Sequence, residues 1–182
     1  MVIMNAPAPG WPPDDHLVTW RRPGRTPPAA PVHERVPRTL RIMRETGDAM
    51  EQLNALTEGH FPGLLGFTVV EVHDDGLSAR LPVRPELLAP NGYLHAAVVV
   101  GLADTACGFA CRLVLPEGAS GFTTIELKAN FMRTVRDGAI ACRATLVHGG
   151  RTTQVWDATV TAEDTGKVLA VFRCTQAVLW PR

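Results

Sequence analysis

The chain has 182 residues, of which 46% are hydrophobic, and its 18 basic side chains are balanced by 18 acidic ones. This length and composition predict one globular domain with a sizeable core. A net charge of zero gives no broad positive field of the kind that draws proteins to nucleic acids or anionic membranes, so we expect neither as a partner.

The first 37 residues differ in composition from the rest. They hold nine of the fifteen prolines, and such a segment buries too little apolar surface to offset the entropy lost on ordering. We predict an extended or disordered tail over 1–37 and a single domain over 38–182. Trp11 and Trp20 leave open whether the tail packs onto the domain, packs onto a partner subunit, or is exposed.

A helix is predicted next. Apolar residues recur three and four positions apart between Arg38 and Glu58, which is typical of an amphipathic helix, and Gly59 would end it. This N-terminal helix would occupy residues 38–59 and pack on the main body of the domain, residues 60–182.

Two strand-like runs follow, at 67–73 and 77–83, with the turn sequence Asp-Asp-Gly between them. The second run alternates apolar and polar residues, so we expect it to be buried on one face only. Its Pro82 indicates an edge strand or the end of a strand.

The next element is a long apolar helix. Residues 96–115 are small or apolar except for Asp104, Thr105 and Arg112. A helix that is apolar on all sides belongs in an interior, and the uncharged run before Asp104 is too short to cross a bilayer. A lone buried carboxylate must be paired, hydrogen-bonded or shifted in pKa, so Asp104 is either a candidate catalytic group or a structural acid.

Four more strand-like runs lie near 121–133, 138–148, 151–162 and 167–180, separated by turn sequences. We predict that they form a four-stranded antiparallel meander, giving an α+β fold in which a curved antiparallel sheet wraps one long helix. Such a sheet leaves an edge strand and an open side, which a second copy commonly covers. We therefore expect at least a dimer.

The cysteines indicate the compartment. Cys107, Cys111, Cys142 and Cys174 lack the spacing of a metal site and read as small buried side chains in a reducing environment. The N-terminus has no basic region followed by an apolar stretch of signal-peptide length. We expect a cytoplasmic protein without a bound metal.

The segment before the long helix contains groups suited to acyl transfer. Asn91 lies in a turn, and His95 immediately precedes the helix. The N–H groups of Ala96 and Ala97 then fall in the first turn, where they have no partner within the helix and can bind negative charge. Together with Asp104 they provide a nucleophile or base and an oxyanion hole.

These residues carry a family resemblance. Asn91-Gly92, His95 followed by two small residues, and then Asp104 on the same helix resemble the signature of the PaaI-like acyl-CoA thioesterases of the hotdog fold. Residues 123–133 resemble that family's third strand. The resemblance covers roughly residues 61–180 and does not include the first forty or so. It implies an acyl-CoA substrate, no metal or redox cofactor, and a homodimer or homotetramer with active sites at the subunit interface.

The resemblance also implies roles for single residues. Asp104 would attack the thioester carbonyl or activate the water that does so. His95 would orient the loop or hydrogen-bond near the thioester, unless it is a buried histidine that fixes the turn. The N–H of Ala97 would donate to the oxyanion, although the family usually has two glycines where this chain has Ala96 and Ala97, and the added methyl group affects acyl preference most.

The remaining candidates are polar side chains. Asn91 lies closer to His95 than in many members, so a turn-forming role is the alternative. Thr124 occupies the position at which members of the family carry a Ser or Thr that positions the hydrolytic water, and this residue comes from the neighbouring subunit. The alternative is that Thr124 is an ordinary strand residue. Arg133 and Arg151 are candidates for binding the phosphates of coenzyme A.

We therefore predict an acyl-CoA thioesterase that acts on a small, medium-chain or aryl acyl group. Two rivals share the fold. His60 and the three residues after it resemble the active-site motif of hotdog dehydratases, so a hydratase or dehydratase is one alternative, although we expect His60 in a loop. The other is an acyl-CoA-binding protein without turnover.

Overall fold

The structure, a computed structural model, describes residues 48–181. The predicted tail and the first part of the predicted N-terminal helix lie outside these residues, so the boundary near residue 37 stays a prediction. Three α-helices are described: α1 (Asp48–Ala55), α2 (Phe61–Leu65) and α3 (Ala96–Leu113). The strands are β1 (Thr68–His73), β2 (Gly76–Pro82), β3 (Gly121–Phe131), β4 (Ala139–Gly149), β5 (Thr153–Ala162) and β6 (Val168–Leu179), and a 3-10 turn spans Pro85–Leu87.

The six strands form one antiparallel sheet in the order β1-β2-β4-β5-β6-β3. The strand positions match the prediction within two residues at every end. The predicted four-stranded meander is wrong, because of its four strands only β4, β5 and β6 are sheet neighbours in chain order. Helix α3 crosses the sheet after β2 and delivers the chain to the far edge, so β3 pairs with β6 and β4 pairs with β2. Pro82 ends β2, one of the two positions that its sequence indicated.

Helix α3 lies against the sheet and contacts β2, β3, β4, β5 and β6. Its side chains toward the sheet are small, and Ala103, Ala106 and Cys107 are fully buried beside Leu102. Among the described residues, α3 is the one helix long and apolar enough to cross a bilayer by length and composition. Packing against the sheet accounts for that composition, and the predicted core helix is confirmed.

Two short helices come before edge strand β1, and the first of them contacts that strand. In α1, the Asn54 amide Nδ2 donates to Val69 O at 3.0 Å, and its Oδ1 accepts from Val69 N–H at 2.7 Å, so one side chain satisfies both backbone groups of that residue in edge strand β1. Helix α2 was not predicted because five residues are too few to show a period. Its signals were local: a proline in the first turn and Gly66 at its end with a φ of 81°.

Strand β3 is the other edge of the sheet and is unusually apolar for an exposed edge. It pairs with β6 on one side. Four apolar side chains in and just after it are exposed by 43 to 59%: Ile125, Leu127, Phe131 and Met132. A long apolar edge strand offers unpaired backbone groups and hydrophobic contact to another chain.

Candidate active site

The structure brings Asp104 and Thr124 together. Asp104 lies in the middle of α3, half-buried, and the Thr124 hydroxyl at the start of β3 donates to its Oδ1 at 3.1 Å. The expectation that Thr124 reaches the site from a neighbouring subunit stays a prediction, while its contact with Asp104 forms within one chain. The reason is the crossover of α3, which sets the first half of β3 beside the middle of the helix.

The environment of Asp104 shifts its ionisation in two opposite directions. Burial among apolar side chains raises the pKa of the Asp104 carboxyl above its ordinary value, and the Thr124 hydrogen bond partly offsets this. The carboxylate is therefore a stronger base than an exposed aspartate, while one hydroxyl stabilises its charged form.

A buried glutamine completes this group. Gln176 in β6 is fully buried, and its Oε1 lies 3.0 Å from the Thr124 hydroxyl. Gln176 is not among the site residues predicted from the sequence, although β6 carries a signal: its inward positions alternate regularly, and Phe172, Cys174 and Val178 are apolar where Gln176 is polar. A polar residue in such an inward row needs a partner.

The N-terminus of α3 is capped by His95. Its ring Nδ1 accepts from Ala97 N–H at 3.0 Å, and the side chain is exposed. The expectation that Ala97 N–H is unpaired is thereby corrected, and the exposed ring does not match the alternative of a buried His95. Ala96, the first helical residue, has by helix geometry no partner within α3 for its N–H, and no hydrogen bond between residues 48 and 181 uses it.

Asn91 forms the turn before this helix. Its Oδ1 accepts from Tyr93 N–H at 3.2 Å, and Gly92 takes a φ of 79° that favours glycine. The Tyr93 ring in turn lies under the Arg136 guanidinium at 4.2 Å. The geometry of Asn91 matches the turn-forming alternative, with its side chain exposed at the surface.

Asp104 and the helix N-terminus are separated within one chain. Ala96 and Asp104 are eight residues apart on α3, which corresponds to about 12 Å along the helix axis. A reacting carbonyl needs a nucleophile and oxyanion donors within about 3 Å each. The groups that the sequence placed at one helix therefore cannot meet at one carbonyl in a single copy.

The two candidate arginines lie at opposite ends of the sheet. Arg133 Nη1 donates to Val168 O at 3.1 Å, at the start of β6. The Arg151 guanidinium stacks on the Trp180 ring at 4.4 Å, just past the end of β6. The twelve residues of β6 extend over about 40 Å, so the structure does not bring these two side chains together.

The remaining candidates lie apart from this group. His60 is an exposed, non-helical residue between α1 and α2, which matches the expected loop position, and its side chain makes no capping hydrogen bond to α2. Its neighbour Phe61 packs toward Gly101 of α3. All four cysteines are free and buried.

Comparison with known proteins identifies the family. A family model of the thioesterase superfamily matches residues 91–169, from the turn before α3 to the start of β6. The 1,4-dihydroxy-2-naphthoyl-CoA hydrolase of Escherichia coli is 31% identical over 130 residues, which are 71% of this chain and 94% of the relative.

Solved structures agree with the family match. A crystal structure of a mutant thioesterase from Pseudomonas aeruginosa has a TM-score of 0.68 at 35% identity and covers 71% of this chain and 93% of that one. The PaaI protein of E. coli has a TM-score of 0.64 at 22% identity over 72% of this chain and 93% of that one, a likeness that shows the fold alone. The chain belongs to the thioesterase superfamily and is a thioester hydrolase with the hotdog fold.

Proposed function

We propose that the protein hydrolyses an acyl-CoA thioester to the free acid and coenzyme A, with Asp104 as the nucleophile or general base. The observation that carries the proposal is the half-buried Asp104 carboxylate, held by the Thr124 hydroxyl on a mostly apolar helix. A thioester suits a carboxylate because the thiolate is a good leaving group. The acyl group is small, medium-chain or aryl, and the naphthoyl-CoA named for the E. coli relative supports an aryl group.

The oxyanion donors come from the N-terminus of α3. Ala96 N–H is the backbone donor, because Ala97 N–H is held by His95. Since His95 Nδ1 accepts a hydrogen bond, the proton of its neutral ring is on Nε2. That N–H is exposed beside the helix terminus and is a second donor to the thioester oxygen. Asn91 supports this arrangement by shaping the turn.

Each active site combines two copies of the chain. Asp104 of one copy lies opposite the helix N-terminus of the other, since about 12 Å separates the two parts within a single α3. The exposed apolar edge of β3 supports such an assembly. We propose a homodimer, or a homotetramer of two dimers, with the active sites at the subunit interface.

The phosphates of coenzyme A bind to arginine. Arg133 is the stronger candidate, because the chain at this point lies beside the N-terminus of α3: the hydroxyl of the next residue, Thr134, donates to Leu94 O at 3.4 Å. Arg151 remains a proposed contact, supported by its exposed position on Trp180. The four free, buried cysteines support the further proposal that the protein is cytoplasmic.

Thiol release from a panel of acetyl, medium-chain, phenylacetyl and benzoyl coenzyme A thioesters tests this proposal. Asp104→Asn should lower kcat by about 10²- to 10⁴-fold, because it removes the base or nucleophile. The matched control is Asp157→Asn, the same change in an exposed ion pair with Arg173, which should keep normal turnover.

Two outcomes would overturn the proposal. Unchanged turnover in Asp104→Asn would remove the catalytic role of this residue. Tight acyl-CoA binding without thiol release across the panel would favour a binding protein, and loss or addition of water on a hydroxyacyl or enoyl thioester would favour a dehydratase using His60.

A further inference from the structure

The Thr124 hydroxyl lies between two oxygen atoms. It is 3.1 Å from Asp104 Oδ1 and 3.0 Å from Gln176 Oε1. A hydroxyl has one proton and donates one hydrogen bond. If Gln176 Oε1 faces the hydroxyl, it competes with Asp104 Oδ1 for that one proton. The acceptor that does not receive the proton then lies next to Thr124 Oγ1 with no hydrogen between the two oxygens. Such an arrangement is costly for a fully buried amide.

Turning the Gln176 amide by 180° removes the competition. This rotation exchanges Oε1 and Nε2 and leaves the positions of the two atoms unchanged. The Nε2 protons then face Thr124 Oγ1, which accepts one of them and keeps its own proton for Asp104. At the other end, Oε1 takes the position 3.4 Å from Cys174 Sγ.

The cysteines beyond Gln176 fit this direction. A thiol is a weak donor, so Cys174 can donate to the amide oxygen. The interaction of the neighbouring Cys107 with Cys174 is the main cause that raises the pKa of Cys107. From Cys174 through Gln176 and Thr124, each group then donates to the next, and the series ends at the Asp104 carboxylate.

We propose that Gln176 is a positioning residue whose amide N–H donates to Thr124 Oγ1 and so commits the Thr124 proton to Asp104. The inference deepens the proposed function and rests on it for its catalytic meaning. Its physical content is separate: Gln176 stabilises the ionised form of a carboxylate that burial otherwise disfavours.

The chain contains a matched control. Gln154 in β5 lies directly opposite Gln176 in the sheet register and is equally buried, at 1% exposure. Its amide is used elsewhere: Nε2 donates to Val114 O at 3.2 Å, and Oε1 accepts from Trp156 Nε1 at 3.0 Å. Replacing either glutamine thus removes a buried amide from the same layer of the core, but only Gln176 contacts Thr124.

The test is a carboxyl titration of Asp104 by carbon-detected NMR, with the signal assigned by its loss in Asp104→Asn. Gln176→Met keeps the side-chain length and removes the donor, so the pKa of Asp104 should rise by about half a pH unit. Gln154→Met should leave it unchanged. In a Thr124→Val background, Gln176→Met should have no further effect, because the path to Asp104 is already broken.

The sign of the shift is decisive. If the glutamine oxygen faced Thr124, removing it would free the hydroxyl for Asp104 and lower the pKa, which would overturn the proposal, as would an unchanged value. If Gln176→Met does not fold, the wild-type protein still decides. The Gln176 amide protons should show through-space contacts to the Thr124 side chain; contacts to Cys174 alone would contradict the proposal.

The titration also separates this inference from the proposed function, because it requires no turnover. The acid limb of the pH dependence of kcat/KM should move with the carboxyl pKa if Asp104 is catalytic. If Gln176→Met raises the pKa of Asp104 while Asp104→Asn keeps normal turnover, Gln176 is a positioning residue but Asp104 is not catalytic. If Asp104→Asn loses turnover while Gln176→Met leaves the pKa of Asp104 unchanged, Asp104 is catalytic but Gln176 does not position it.

Discussion

The N-terminus of α3 and its middle turn carry polar groups of two different kinds. At the N-terminus, the exposed His95 side chain bonds an N–H two residues along the chain. In the middle, Asp104 bonds Thr124 20 residues away, and Thr124 meets Gln176 across 52 residues. The first contact forms with the helix itself, whereas the second requires the completed sheet. Substitutions at the two places should therefore have different effects. At the N-terminus they remove a hydrogen-bond donor, and in the middle of the helix they change the pKa of Asp104.

The largest effect at the N-terminus should come from Ala96→Pro. Proline is favoured at the first helical position, and His95 already has the extended backbone, with φ of −68° and ψ of 135°, that a residue before proline adopts. The variant thus removes the proposed oxyanion donor while keeping the helix. We expect kcat to fall by about 10²- to 10³-fold with little change in Tm. Unchanged kcat in Ala96→Pro would contradict the role of this N–H as an oxyanion donor.

Mixing two inactive variants sharpens the comparison. If Asp104 and Ala96 N–H act from different copies, a heterodimer of Asp104→Asn and Ala96→Pro has one site with both groups intact. Random exchange of subunits should restore about a quarter of wild-type activity. Refolding the two variants together and measuring thiol release tests this. Activity no greater than the sum of the separate variants would contradict the proposal that Asp104 and Ala96 N–H act together across two copies.

Thr124→Val should have an intermediate effect. It removes the hydroxyl that lowers the pKa of Asp104, so the carboxyl should titrate at still higher pH. The acid limb of kcat/KM should move upward and kcat should fall by about tenfold. Thr123→Val, one residue earlier and exposed, is the control and should leave the profile in place.

The stability of Asp104→Asn should show the cost of the buried charge. Because the pKa of Asp104 is higher in the folded protein than in the unfolded chain, the folded state binds more protons between those two values, and wild-type stability falls as pH rises through this window. Asp104→Asn has no ionisable carboxyl at this position, so its stability does not fall for this reason as the pH rises. Its free energy of unfolding should exceed that of wild type at neutral pH, and the difference should disappear in acid; denaturant titration at several pH values measures it.

The smallest effect should be that of His95→Asn on stability. Asparagine is a good helix cap, so the free energy of unfolding should change by no more than about 0.5 kcal/mol, whereas His95→Ala should cost about 1 kcal/mol. Only the ring supplies the proposed Nε2 donor, so both variants should lose turnover equally. If His95→Asn kept full activity, the role of His95 would be limited to capping.

The same contrast explains what the sequence could predict. The strands and α3 were found because alternation, turn residues and an all-apolar helix are local patterns, and the motif around His95 and Asp104 is continuous in the chain. Helix α2 was too short for a period, and the cap formed by His95 needs a ring orientation that no spacing specifies. The pairing of β3 with β6, and hence the meeting of Thr124 with Gln176, depends on how α3 crosses the sheet.

The strand order has a consequence for biosynthesis. Strand β3 finds its partner within the sheet only in β6, the last of the described strands. At about 5 to 20 residues per second, the ribosome needs roughly 2 to 10 s to add the intervening chain. During that time both edges of β3 are unpaired and its apolar side chains are open to other nascent chains or to chaperones. The bond between Thr124 and Gln176 is thus among the last to form, and a molecule released before residue 176 would have a complete α3 without the glutamine beside its active-site carboxylate.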